Sequence, residues 1–142
     1  MISRVVALKN FSANEGDCRC GCGMKVADGI LIRMQSFIFM LSRIYRKPVR
    51  VMISSGARCW KRNEATPGSA KYSLHLEGRA VDCIFQIQKN GEWEQIPNED
   101  VAALARRSGL FGGVGYIKYA SQGQNLIHLD DRETEDGTVV YW

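Results

Sequence analysis

The sequence lacks an uninterrupted apolar run long enough to span a bilayer. Its longest apolar stretch, residues 30–44, is broken by Arg33, Gln35, Ser36 and Arg43, whereas a membrane helix needs about 20 predominantly apolar residues. The N-terminal segment has too short an apolar core for a secretory signal peptide and no small-residue cleavage site behind it. We therefore expect no membrane span, and we expect synthesis in the cytoplasm.

Internal repeats, low-complexity runs and linkers are also missing, which indicates a single domain over residues 1–142. The glycine-rich stretch 110–119 does not match a dinucleotide-binding fingerprint, and no helix signal follows it, so it is interpreted as a turn and a strand. The net charge of +4 is mild. It favours anionic partners such as cell-wall polymers or nucleic acid without choosing between them.

A second cysteine cluster is missing as well. Three of the five cysteines, Cys18, Cys20 and Cys22, lie together, whereas Cys59 and Cys83 are far away in the sequence. Zinc ribbons usually pair two Cys-x-x-Cys units, so this spacing disfavours a zinc site made of cysteines alone. Without an export signal we expect reduced thiols, several of them buried, although Cys20 or Cys22 could lie near Cys59 in space.

Hydrophobic periodicity predicts a mixture of helices and strands. Apolar residues three and four apart predict a long helix over residues 28–46, with Asp28 as its cap. A shorter helix is predicted over residues 98–109, with Asn98 as its cap, and residues 60–72 are interpreted as a loop over a site. Alternating or β-rich patterns predict strands within residues 49–55, 79–87, 92–96, 110–119, 125–132 and 138–142. The sequence KNG at residues 89–91 predicts a tight turn that joins two of these strands in a hairpin.

Histidine is scarce: the only two are His75 and His128, and each has an aspartate downstream. Asp82 follows seven positions after the first, and Asp130 lies two positions after the second, on the same face of a strand. Two imidazoles and one carboxylate form a common zinc-binding set that leaves a fourth position for water. Gly78 lets the backbone between the first pair approach closely. The alternative is that each histidine is a hydrogen-bonded core residue and each aspartate a turn or surface carboxylate.

Four motifs, SGARC, SLHLEGRAVD, GGVGY and IHLD, occur in this order. Together they resemble the zinc peptidases related to D-Ala-D-Ala carboxypeptidases and phage endolysin peptidases, which share their metal site with hedgehog signalling domains. The resemblance covers about Phe11 to Arg132. It implies that Zn²⁺ is bound by His75, Asp82 and His128. We expect an α+β fold, with a small, mainly antiparallel sheet that has the long helix on one face and the zinc cleft on the other.

The resemblance also implies roles for residues around the metal. Arg58 falls at the family's arginine, where its guanidinium would polarise the scissile carbonyl or hold a substrate carboxylate. Ser73 frames the first metal-binding loop. Tyr116 is a candidate for the substrate cleft, and core packing is its alternative role.

The general base is where the sequence departs from the better-known members. They have an acidic residue three positions before the last histidine, and here that position is Asn125, a neutral amide that cannot accept a proton. Asp130 is the candidate for this role. The alternative is that Asp130 orients His128, because metal-bound imidazoles usually donate their other N–H to a carboxylate or a carbonyl.

The function implied by the resemblance is zinc-dependent hydrolysis of peptidoglycan stem or cross-bridge peptides. We expect a monomer with no nucleic-acid partner, which acts on the cell wall as a phage or prophage endolysin after release through a separate pore. The alternative is a non-catalytic, zinc-containing binding module of a virion or cell-wall assembly, which Asn125 would permit.

Overall fold

The computed structural model describes residues 15–66, 73–117, 121, 123 and 125–142. It confirms the α+β class, with three α-helices and six strands among these residues. In chain order the elements are α1 Asp28–Tyr45, β1 Val49–Ser55, α2 Trp60–Glu64, a 3-10 turn Leu74–Glu77, β2 Ala80–Lys89, β3 Glu92–Gln95, α3 Asn98–Ser108, β4 Gly113–Gly115, β5 Ile127–Asp130 and β6 Val140–Tyr141.

The strands form one mainly antiparallel sheet in the order β1-β2-β5-β4-β6, and β3 pairs with β2. Among the described strands only β4 and β6 run parallel. In the pairing of β2 with β5, Asp82 lies opposite His128 and Ala80 lies opposite Asp130. Because side chains two apart share a face of a strand, these four residues occupy one face of the sheet.

Helix α1 covers the opposite face of the sheet. Its buried residues recur at the three- and four-residue spacing of a helical stripe. Phe37 in this stripe packs edge-on against Phe85 of β2, with 5.3 Å between ring centroids, and against Phe111, at 5.4 Å. Val81 and Leu129 belong to the same core. Because successive side chains of β2 and β5 lie on opposite faces of the sheet, the apolar ones face α1 and the Asp and His side chains face away from it.

The turn between β2 and β3 follows the sequence prediction. Asn90 and Gly91 both have positive φ, at 52° and 82°, which is the backbone required by a two-residue hairpin turn that matches strand twist. The hairpin predicted from KNG is confirmed.

The predicted helix caps were wrong by one residue. Asp28 and Asn98 are the first residues of their helices, and the preceding Ala27 and Pro97 occupy the cap positions without a side-chain hydrogen bond. Asp28 still lies in the first turn, where a carboxylate interacts favourably with the helix dipole. Proline fixes an extended entry into α3 because its ring restricts φ.

Several boundaries also differ from the prediction. Helix α1 ends at Tyr45 because Arg46 has a left-handed backbone, with φ of 54°, and its N–H donates to the carbonyl of Ser42. Strand β2 extends two residues beyond its predicted end. Strand β5 is shorter than predicted, and its neighbour Asp131 turns its carboxylate to Arg79 at 2.7 Å. Strands β4 and β6 are likewise shorter than their predicted segments.

The segment interpreted as a loop over a site contains a short helix instead. Residues 60–64 form α2, in which the N–H of Asn63 donates to the carbonyl of Cys59 at 2.9 Å. A single helical turn is too short to show a hydrophobic period, so the polar composition concealed it. The later part of the predicted loop, residues 67–72, lies outside the described residues. No helix in the described part of the chain is long and apolar enough to cross a bilayer.

Candidate metal centre

Three elements bring His75, Asp82 and His128 together: the 3-10 turn, β2 and β5. One ligand atom from each lies within 4.8 Å of the other two. His75 Nε2 is 3.2 Å from Asp82 Oδ2, and His128 Nδ1 is 3.0 Å from Asp82 Oδ1. All three residues are buried. The central carboxylate thus faces one imidazole with each of its oxygens.

The position of His75 follows from the residues on either side of it. The Ser73 hydroxyl accepts a hydrogen bond from the His75 N–H at 3.2 Å and caps the 3-10 turn. The turn ends at Gly78, which has a left-handed backbone with φ of 66°. A Cβ at this position would lie 2.8 Å from the carbonyl oxygen of Lys25. Gly78 thus lets the end of the 3-10 turn lie against the segment that precedes α1.

The hydrogen bond of His75 decides which of its ring nitrogens can bind a metal. Nδ1 lies 2.6 Å from the carbonyl oxygen of Gly56. A carbonyl only accepts, so Nδ1 carries the proton and Nε2 presents a lone pair. Nε2 is buried and forms no hydrogen bond with any described residue. Two electron pairs, on Nε2 and on Asp82, therefore face each other, an arrangement that a cation stabilises.

Asp130 contacts the far side of the His128 ring. Its Oδ2 accepts from His128 Nε2 at 2.7 Å, and its two oxygens also accept from Arg132, with Nη2–Oδ2 of 2.6 Å and Nε–Oδ1 of 2.9 Å. With Nε2 donating to Asp130, a neutral His128 presents its Nδ1 lone pair to Asp82. A carboxylate in this position fixes both the tautomer and the ring orientation of a metal-binding imidazole.

Neighbouring polar groups outweigh the effect of burial on the pKa values of the site. Burial alone would raise the pKa of Asp82, but the His128 and His75 rings that face its two oxygens hold that pKa well below its usual range. Burial also opposes ionisation of Asp130, whose pKa is held low by His128 and Arg132. The pKa of His128 is raised, because the two carboxylates outweigh the burial that would lower it. Both carboxylates are thus ionised at neutral pH and available to balance a cation.

The glycines of β4 make room for this centre. Gly113 lies opposite Asp130 and Gly115 opposite His128 in the pairing with β5. A Cβ on Gly113 would collide with the Asp130 carboxylate, and one on Gly115 would lie 2.5 Å from the indole of Trp142. The GGVG stretch is a turn and a strand, as its sequence predicts. Gly113 and Gly115 have no side chains, which leaves room for the Asp130 carboxylate and the Trp142 indole.

Trp142 was not singled out by the sequence analysis. Its indole packs on the His128 ring, with 5.1 Å between centroids, and the Arg132 guanidinium lies 4.9 Å above it. Its backbone holds it there, since its N–H donates to Val114 and its carbonyl accepts from Tyr116. The only sequence signal was an aromatic pair after two valines, which does not indicate what the ring contacts.

The other residues considered for the site differ in burial and in the residues that they contact. Arg58 is buried, its N–H donates to the carbonyl of His75 at 2.9 Å, and its Nη2 lies 3.4 Å from Ser73 Oγ. Tyr116 is half-buried and packs with Tyr141 at 5.9 Å between ring centroids. Asn125 is exposed, and its amide is hydrogen-bonded to Gln95 and Asn98.

The structure thus shows an α+β domain in which His75, Asp82 and His128 lie close enough together to hold one metal ion. The family model described as Peptidase M15 matches residues 9–130 of the chain. The chain therefore belongs to this family, which confirms the resemblance drawn from the four motifs. Its members are zinc-dependent metallopeptidases, and the donor set of the centre fits that metal. No curated protein matches the chain significantly.

Proposed function

We propose that this chain is a zinc-dependent peptidoglycan peptidase that cleaves stem or cross-bridge peptides. Membership of the Peptidase M15 family supports the peptidase activity. The observation that carries the proposal is the buried Nε2 of His75, which forms no hydrogen bond with any described residue and points at Asp82, 3.2 Å away. The mild positive charge of +4 suits an anionic wall polymer.

His75, Asp82 and His128 would hold the zinc, which supplies Lewis-acid activation of a water molecule and polarises the scissile carbonyl. The Gly56 carbonyl fixes the tautomer of His75, so that Nε2 is the nitrogen that would bind the metal. Asp82 contributes the negative charge, since the two imidazoles beside it hold its pKa well below its usual range despite its burial. The donors are thus arranged before substrate binds.

We assign Asp130 to orientation of His128. Its oxygens accept from His128 and Arg132, and the residue is fully buried. A proton acceptor needs a free lone pair within hydrogen-bond reach of the attacking water. The occupied Asp130 oxygens are better suited to holding the imidazole than to taking a proton.

Arg58 would bind the substrate. Its backbone is tied to the carbonyl of His75, so its position is fixed relative to the metal ligands. A permanently charged, largely buried guanidinium stabilises a carboxylate or a developing oxyanion more strongly than an exposed lysine would. Ser73, which accepts from both Arg58 and the N–H of His75, would keep the two aligned. Tyr116 remains a candidate for lining the cleft.

The test is digestion of purified sacculi by the zinc-loaded protein, with mass spectrometry of the released fragments. The expected result is soluble muropeptides whose new ends identify the bond, loss of release with a chelator, and recovery when zinc is restored. Asp82→Ala should abolish release. The matched control, Asp131→Asn, alters a carboxylate that pairs with Arg79 instead and should retain it. Intact sacculi after treatment with zinc-loaded protein would overturn the proposal.

A non-catalytic, zinc-holding binding module is the second candidate. The observation that favours it is Asn125, whose neutral amide stands where better-known members have an acidic residue and is hydrogen-bonded to Gln95 and Asn98. Sedimentation of the zinc-loaded protein with sacculi, without release of fragments, would support this candidate. Binding should then survive Asp130→Asn.

The biological setting that we propose is a phage or prophage endolysin, on the strength of the motif resemblance. Expression in a bacterial host together with a pore-forming protein should cause lysis, whereas expression alone should not. Lysis that is unaffected by Asp82→Ala would contradict this role. That the chain is a monomer without a nucleic-acid partner stays a prediction.

A further inference from the structure

A second group of metal-binding side chains lies outside the His-Asp-His centre. The Sγ atoms of Cys18, Cys20, Cys22 and Cys59, called the cysteine cluster below, all lie within 4.8 Å of one another. Cys20 Sγ is 3.4 Å from Cys18 Sγ and 3.5 Å from Cys59 Sγ. Four zinc-bound thiolates at 2.3 Å from the metal would be about 3.8 Å apart. The observed spacing is therefore close to that of a tetrahedral tetrathiolate site.

The backbone of residues 18–24 is folded to present three thiols to one point. The N–H of Cys18 donates to the carbonyl of Met24 at 2.8 Å, and the N–H of Gly21 donates to the carbonyl of Cys18 at 3.2 Å. Gly21 and Gly23 have φ of 78° and 88°. Left-handed backbone at both positions reverses the chain twice within a few residues, which side-chain-bearing residues rarely allow.

The fourth thiol comes from a distant segment that is fastened to this one. Arg19 donates to the carbonyl oxygens of Ile53 and Ser54 at 2.9 and 3.2 Å. The N–H of Ala57 donates to the carbonyl of Gly16 at 2.8 Å. The N–H of Cys59 lies 3.4 Å from Cys18 Sγ and donates to it, a contact that stabilises a metal-bound thiolate.

We propose that the cysteine cluster binds a second, structural Zn²⁺ ion. Soft thiolate ligands in a closed tetrahedral set select zinc over hard cations such as magnesium or calcium. All four Sγ atoms lie within 4.8 Å of one another, and Cys20 contacts both Cys18 and Cys59, so the thiols form one group rather than two separate disulfide pairs. The spacing Cys-x-Cys-x-Cys by itself disfavours a cysteine-only zinc site, because it supplies only three neighbouring ligands. The fourth, Cys59, is brought to them by the fold, which the spacing does not show.

The site would also stabilise the metal centre proposed above, a consequence that rests on the proposed function. The segment held by the cysteine cluster includes Gly56, whose carbonyl fixes the tautomer of His75. It also includes Arg58, next to Cys59. Zinc at the cysteine cluster would therefore hold in place the backbone of Gly56, which contacts His75, and of Arg58, the proposed substrate-binding residue.

The first test counts the metal in protein purified anaerobically, by mass spectrometry of the elements. The unaltered chain should carry about two zinc ions, and Cys22→Ser and Asp82→Ala should each carry about one. Cys22 is exposed, so its replacement removes no core contact. Cys83→Ala is the matched control, since it removes a thiol outside the cluster, and it should keep both ions. An unchanged zinc content in Cys22→Ser, or iron in place of zinc, would overturn the proposal.

The second test needs no variant in the cluster. Cobalt loaded into Asp82→Ala should give the strong sulfur-to-metal charge-transfer absorption of a tetrathiolate site. Alkylation of the folded, unaltered protein should label four cysteines only after chelation. Cys83 should stay unlabelled in both states, because it is fully buried. A disulfide within the cluster in the native protein would overturn the proposal. Neither readout depends on peptide hydrolysis, so failure of the second zinc site can be distinguished from failure of the proposed function.

Discussion

His128 lies between two carboxylates: its Nε2 is 2.7 Å from Asp130 Oδ2, and its Nδ1 is 3.0 Å from Asp82 Oδ1. The ring is therefore held from one side by Asp130 and presented to the metal site on the other. Asp130 is held in turn by Arg132. The orientation of His128 thus depends on two further side chains, the buried Asp130 and the partly buried Arg132.

Asp130→Asn should weaken zinc binding at the His-Asp-His centre by roughly 10- to 100-fold, because the amide no longer enforces the His128 tautomer in which Nδ1 is unprotonated. Competition with a chromophoric chelator measures this affinity. Asp131→Asn is the control, since that carboxylate pairs with Arg79, and its zinc affinity should match that of the unaltered chain. Unchanged affinity together with abolished turnover would instead identify Asp130 as the general base.

Arg58→Lys should lower kcat/KM for peptide release by roughly 10²- to 10³-fold while the zinc content stays the same. Lysine cannot reproduce the planar fork of donors that arginine aims at a carboxylate or an oxyanion. Release rates and metal content are measured on the same preparations. Arg50→Lys is the control, because Arg50 stacks on Trp93. If zinc were lost along with turnover, Arg58 would be a structural residue.

Gly113→Ala should destabilise the domain by about 1–3 kcal/mol, since the added methyl collides with the Asp130 carboxylate and must displace it. The melting temperature should fall, and zinc should dissociate faster. Gly29→Ala, in α1, provides the contrast: apart from its chain neighbours and the backbone of its own helix, no described atom lies within 4 Å of the added carbon, and alanine favours helix by up to about 1 kcal/mol. Equal effects of the two changes would refute the close-packing argument.

Phe37→Ala should cost about 3–5 kcal/mol of unfolding free energy, because the ring is fully buried between Phe85 and Phe111 and its loss leaves a cavity. Urea unfolding measures the difference. Phe39, two residues away on the same helix, is 62% exposed, and Phe39→Ala should change the free energy by less than about 0.5 kcal/mol. A small loss at Phe37 would mean that the core around α1 repacks.

Local patterns predicted the elements that are long or strongly periodic. The stripe of α1 and the alternation of β1 were found because burial on one face imposes a fixed period on the sequence. Cap residues and the five-residue α2 were missed. Their placement depends on neighbouring segments, such as Gly78, whose carbonyl accepts the N–H of Ala27.

The amino-acid sequence alone determined which side chains were available for metal chemistry. Only two histidines occur, and alternation along β2 and β5 places Asp82 and His128 on the polar face of whatever sheet those strands form. Tertiary structure decided the remainder: which nitrogen of each ring carries the proton, how Asp130 is used, and that Cys59 joins the cysteines near residue 20. The contacts of His75 with Gly56, of Cys20 with Cys59 and of Asp82 with His128 join residues 19, 39 and 46 positions apart. The spacing of two residues along the chain does not reveal how close they lie once the chain has folded.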